Sequence, residues 1–204
     1  VEAIKTALQI HIQGRQATTE EKEILSLYSG FGGIKEVLNI GTEKPVSGDM
    51  VEPIQRLQEL IDTYPHFTEP MRHNVMEGIK ASVLTAFYTP KFLVQAVTKQ
   101  IHTTFKDNGL QMRSFLEPSA GIGGFLPVAM PNTYDYAIEK DPISGLILSL
   151  LHDNTVTRTT EFETIDEQGF EHTKFDVIAS NIPFGNFRVF DAELWKKGGI
   201  YEQA

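Results

Sequence analysis

Residues 175–187 read FDVIASNIPFGNF. The first part, from Phe175 to about Ala179, is apolar and β-branched with one acidic residue, the composition of a short buried strand. It runs directly into Ser180-Asn181-Ile182-Pro183-Phe184-Gly185, an Asn, a proline-fixed turn and an aromatic side chain at the carboxyl end of that strand. In open α/β sheets, ligands bind outside the carboxyl ends of the strands. An Asn amide and two backbone carbonyls beside an aromatic face suit one task, gripping a planar ring that carries an exocyclic amino group.

Working outward from this stretch, the preceding sequence alternates strands and helices. Strands are predicted over 113–116, 134–138 and 155–160, with an apolar helix over 143–151, which implies a parallel, doubly wound sheet. Between the first two strands lies Glu117-Pro118-Ser119-Ala120-Gly121-Ile122-Gly123-Gly124-Phe125, read as a strand-to-helix loop. Gly121 and Gly123 begin a dinucleotide fingerprint, but its third glycine position holds Leu126, and no Gly-Lys-Ser/Thr follows. The glycines still allow close approach of a ligand to the backbone. Glu117 beside them repels a pyrophosphate and attracts a cation such as an ammonium or sulfonium. Glu139 ends the second strand about 20 residues on, where an acid accepts the ribose hydroxyls of an adenosine. Asp141 reads as a helix N-cap. At the third strand end, Glu161-Phe162 can present a carboxylate to an adenine amino group. Glu163 competes for that role, and the sequence leaves the choice open.

The first half of the chain is helical in pattern, with helices predicted over 1–12, 20–27, 34–38, 53–64, 70–83 and 91–105. Thr18 and Glu21 form a capping-box signal. Ser29-Gly30-Phe31-Gly32-Gly33 reads as a close-packed helix-to-helix turn in preference to a phosphate cradle. Thr89, ahead of Pro90 at the first helical position, is the expected N-cap of the helix over 91–105, where free N–H groups favour a carboxylate ligand. The chain therefore divides into a helical region, 1–107, containing Phe87-Tyr88-Thr89-Pro90, and an α/β region, 108–204.

Composition narrows the function classes. The 204 residues carry a net charge of −9, so this chain alone lacks the basic surface of a strong nucleic-acid binder, and any such role borrows positive charge from elsewhere. It has no cysteine, which removes disulfides, thiolate metal sites and cysteine nucleophiles together. The six histidines are scattered without ligand-like spacing, and no metal is assigned. No apolar run is long enough to span a membrane, and no signal peptide is visible. The chain starts at Val1 and stops at Ala204, and is expected to be a fragment of a longer polypeptide.

Taken in order, Phe87-Tyr88-Thr89-Pro90, the glycine loop, Glu139, Glu161 and Asn181-Ile182-Pro183-Phe184 resemble the N6-adenine DNA methyltransferases of the gamma arrangement. The resemblance covers about residues 81–187. The amino-terminal Gly14-Arg15, Ala17-Thr18, Glu20-Glu21 and Ser29-Gly30-Phe31-Gly32-Gly33 are similar to the methylase part of large methylase–helicase fusion proteins of phages and conjugative elements. The resemblance implies a Rossmann-like methyltransferase fold with strand order 3-2-1-4-5-7-6, truncated here after strand four. It implies S-adenosyl-L-methionine as cofactor, held by Tyr88, Thr89, Glu117, Pro118, Ser119, Gly121, Gly123, Glu139, Lys140, Glu161, Phe162 and Asn181. Catalysis falls to Asn181, Ile182, Pro183 and Phe184, with Ile182 standing where the family has proline. DNA is the implied substrate, reached through regions largely outside this chain, with a helicase domain in the same polypeptide. A cytoplasmic, bacterial or phage-encoded protein in a mobile-element, restriction-modification or anti-restriction setting fits this pattern. Self-association through the open edge of strand four is a further expectation. Alternatives are methyl transfer to RNA adenine or protein glutamine, and a non-catalytic cofactor-binding module.

Overall fold

The computed structural model describes residues 1–44, 46, 48–162 and 174–182. The helical half opens with α1 (Glu2–Gln13) and α2 (Thr19–Ser26), separated by Gly14 in the left-handed conformation at φ 59°. Thr18 and Glu21 form the capping box: the Thr18 hydroxyl accepts from Glu21 N at 3.3 Å and the Glu21 carboxylate accepts from Thr18 N at 2.9 Å. Arg15 clamps the same carboxylate through two 2.6 Å bonds. The predicted helix over 34–38 is a single 3-10 turn, Lys35–Asn39. Helices α3 (Val51–Thr63), α4 (Glu69–Thr85) and α5 (Lys91–Asp107) follow.

The α/β half contains β1 (Ser114–Glu117), β2 (Tyr134–Glu139), α6 (Pro142–Leu151), β3 (Val156–Thr159) and β4 (Val177–Ile178). All pairings are parallel and the order is β3-β2-β1-β4. The described strands thus form a four-stranded parallel α/β sheet, compatible with a Rossmann-like fold. The chain moves outward from β1 through β2 to β3, then places β4 on the other side of β1. The carboxyl ends of β1 and β4 therefore flank a topological switch point, where ligands bind in sheets of this kind.

Two expectations are corrected. The glycine loop does not run into an α-helix before β2; residues Leu126–Val128 form one 3-10 turn. Pro127 and Pro131 explain this, since the second proline drives the residue before it out of helical geometry. Thr89 is not the N-cap of α5, because the helix starts one residue later than a cap at Thr89 requires, with Pro90 at the cap position and no side-chain cap bond. Proline's fixed φ and missing N–H suit that boundary equally well.

Two apolar cores form among the described residues. The first joins Ile4, Leu8, Leu25, Leu57, Ile61 and Ile79 of the helical half to Ile143 and Ile147 of α6. The second packs Val94 of α5, Met112 and the Leu126–Val128 turn against Phe115 and Ala137 of the sheet, and it includes Leu148 of α6. Helix α6 is shared by both because its adjacent residues 147 and 148 point about 100° apart. The strand ends lie against this junction.

Candidate functional site

The chain after β4 is stitched to the glycine loop. Ala179 N donates to Leu116 O at 3.1 Å, and the Ser180 hydroxyl accepts from Ser119 N at 3.2 Å and donates to Ser119 O at 3.1 Å. This brings Asn181 to the helical side of the site. Its amide nitrogen donates to Phe87 O at 2.7 Å. A backbone carbonyl only accepts, so the contact fixes the nitrogen at Phe87 and leaves the Asn181 side-chain oxygen as an acceptor.

The glycine turn at 29–33 is a packing device, as its sequence suggests. Gly33 N donates to Val83 O at 2.9 Å, and any Cβ at Gly32 would collide with the Ala86 carbonyl. The turn clamps the segment that carries Phe87 and Tyr88.

In the second glycine loop, Gly121 and Gly123 have φ of 57° and 88°, where only glycine is unstrained. A Cβ at Gly121 would sit 2.5 Å from the Tyr88 ring, so that ring lies directly on the loop backbone. A Cβ at Gly123 would sit 2.5 Å from His152 Nε2, which makes a 2.9 Å bond to Ile122 O. A carbonyl only accepts, so His152 Nε2 donates that bond, and burial holds the His152 pKa below its ordinary value. His152 and Ser180 were not found from the sequence. Neither has a motif spacing, and their role exists only after the loops meet.

Three carboxyls converge behind the loop. Glu117 is 1% exposed. One of its oxygens accepts from Phe125 N at 2.9 Å, and the other is buried with no partner among the described residues. Burial pushes its pKa up to about 8. The half-buried Glu139 accepts from Gly121 N at 2.6 Å through one oxygen and from Asp141 N at 2.8 Å through the other. Burial raises it to about 7 against the lowering effect of those bonds. Asp141 caps α6, accepting from both the backbone and hydroxyl of Ser144 at 2.7 Å, while its other oxygen has no partner among the described residues.

These groups border one cavity of about 1150 Å³, at or slightly above the usual size of a small-molecule site of roughly 300–1000 Å³. Tyr88, Thr89, Glu117, Ser119, Gly121, Gly123, Glu139 and Asn181 line it. Pro118, Lys140, Glu161, Phe162 and Ile182 are not in its wall. Lys140 instead pairs with Glu161 at 2.7 Å, both largely exposed. Phe162 and Ile182 are 46% and 65% exposed. Pro183, Phe184 and Glu163 lie outside the described residues. The cavity also takes in Tyr28, which sequence reasoning passed over because it precedes a glycine turn and carries no site signature.

No family model matches the chain. Over 108 residues, 53% of its length, it is 33% identical to a protein of Escherichia phage P1 called defense against restriction protein B. The chain spans about 4% of that relative. No helix among the described residues is long and apolar enough to cross a membrane.

Proposed function

We propose that this chain is the cofactor-binding and catalytic part of an S-adenosylmethionine-dependent methyltransferase acting on the N6 amino group of adenine in DNA. The observation that carries the reading is the meeting of Glu117, Glu139, the glycine loop, Tyr88 and Asn181 around one cavity at the switch point of a parallel sheet. The residues fit the cofactor. Glu117 has a buried acceptor oxygen without a partner, suited to an ammonium. The Glu139 oxygens each keep a lone pair for a ribose hydroxyl beyond their loop bond. The missing Cβ atoms at Gly121 and Gly123 let the Tyr88 ring and His152 pack onto the loop that borders the cavity. When bound, S-adenosylmethionine supplies an electrophilic methyl group.

The adenine amino nitrogen is a poor nucleophile because its lone pair is delocalised into the ring. Asn181 Oδ1 and the Ile182 carbonyl accept its two N–H bonds and so draw that lone pair out of conjugation. Positioning and a water-poor pocket then carry the rate. Isoleucine in place of proline at 182 keeps the carbonyl on which this role depends. The base must leave the duplex to reach the pocket. The relative's name supports an anti-restriction setting in a phage or mobile element, and the DNA-gripping surface belongs to other parts of such a protein.

The test is methyl incorporation into adenine-containing DNA by the full-length polypeptide. Asn181→Ala is expected to lower turnover by at least about 100-fold while leaving cofactor affinity within about twofold, the scatter of a substitution that removes no cofactor contact. Wild-type turnover in that variant would remove the central assignment.

A further inference from the structure

Tyr28 follows α2 at the head of the clamping glycine turn. It is 7% exposed, and its ring packs edge-on against Phe31 at 6.3 Å between centroids. Its amide donates to Leu25 O at 3.0 Å, so ring and backbone are both anchored. Its hydroxyl is buried and makes no geometric hydrogen bond among the described residues, and Tyr28 is one of the residues of the cavity wall. Buried hydroxyls are almost always paired, and leaving one unpaired costs stability. Ser144 is the polar group next to the Tyr28 hydroxyl, and Asp141, Tyr88 and Glu139 are within electrostatic reach of it. The Ser144 hydroxyl already donates to Asp141 at 2.7 Å, and the remaining Asp141 oxygen is itself without a partner. The site thus holds a hydroxyl donor within electrostatic reach of two carboxyls, and one oxygen of Asp141, over Gly78 of α4, lacks a donor.

We propose that Tyr28 is a direct ligand contact, and that its hydroxyl and the Asp141–Glu139 pair together receive a sugar hydroxyl of the bound nucleoside. A ligand hydroxyl is the group that satisfies both sides, since it accepts from Tyr28 and donates to a carboxyl oxygen. The helical region is then a wall of the binding site and not only a support for it. This inference rests on the cofactor reading above. It adds a ribose contact from an element that precedes the sheet by more than 80 residues, Tyr28 against Ser114 at the start of β1.

Calorimetric titration of the 204-residue chain with S-adenosylhomocysteine and with 5′-methylthioadenosine, which keeps the ribose but lacks the amino-acid part, tests it in wild type and Tyr28→Phe. The variant keeps the ring and removes only the oxygen. Both ligands should bind the variant about three- to tenfold more weakly. The melting temperature without ligand should stay unchanged or rise, because an unsatisfied buried hydroxyl has been removed. Equal affinities in the two proteins would overturn the proposal and leave Tyr28 bonded to an ordered water. Weakening of S-adenosylhomocysteine alone would overturn the ribose assignment, and a clearly lower melting temperature would show that the hydroxyl has a structural partner instead. If wild type binds neither ligand, the cofactor reading itself fails and the Tyr28 contact falls with it.

Discussion

In the helical core, Ile4, Ile10, Leu25, Ile61 and Ile79 are completely buried, and stability comes from apolar area removed from water. At the strand ends stand the buried Glu117 and the half-buried Asp141 that caps α6, and each has one oxygen without a partner among the described residues. The first arrangement gains free energy on folding; the second costs free energy, and that cost falls when a ligand supplies the missing partners. The difference explains why the strand ends are backed by so much helix. A glycine loop, a two-residue β4 and a proline-bounded turn are weak structure on their own. The helical core, through α6 and through the clamp on Ala86, holds them in place.

The largest expected effect tests that dependence. Ile147 is fully buried in the helical core, and its neighbour Leu148 is buried in the sheet core. Ile147→Ala should therefore cost about 2–4 kcal/mol and lower the whole chain in one cooperative transition, read by denaturant titration with circular dichroism. Two separate transitions would break the comparison by showing the regions to be independent.

The next effect is one of pH, and it belongs to the strand ends. Glu117 and Glu139 are raised by burial to about 8 and about 7, from an ordinary 4.5. Between pH 4.5 and 8 the folded chain binds more protons than the unfolded chain, so stability is highest at the acidic end of that window and is lost as pH rises through it. The unliganded chain should melt about 5 °C higher at pH 5.5 than at pH 8. Glu117→Gln should flatten this dependence. A melting temperature that rises with pH across the window would contradict the placement of these carboxyls.

The smallest effect belongs to the helical region alone. Thr18→Ala removes the hydroxyl half of the capping box and should cost about 1 kcal/mol, measured by the shift in denaturation midpoint, with cofactor affinity unchanged. A change in affinity would mean that α2 is coupled to the site more tightly than through Tyr28.

Helices and strand types were legible because burial imposes a period on the sequence. Apolar residues recur at helical spacing along α1, and the strands stand out as short apolar or β-branched runs. The Asp141 cap and the capping box at Thr18 were legible because each is a local hydrogen bond among residues three apart. The glycine turn at 29–33 was legible as packing. Boundaries fared worse where proline acts on its neighbours, as at Pro90 and Pro131. The parts of the site that span the chain were illegible. His152 and Ser180 act on partners 30 or more residues away, Tyr28 joins the cavity wall only through the fold, and nothing local marks any of them. Lys140 and Glu161 show the converse: adjacent strand ends brought them together as an exposed ion pair, outside the cavity wall. β4 has a partner only in β1 among the described residues, so self-association through its other edge stays a proposal, and with two residues it offers little template.

The most direct test of the central claim is calorimetric titration of this chain with S-adenosylmethionine, beside Glu139→Ala. Binding by the wild type, weakened at least about tenfold in the variant by loss of the charge-assisted bonds to the ribose, is the predicted result. Absence of binding by the wild type, or equal binding by both, would contradict the assignment of the switch-point cavity to this cofactor.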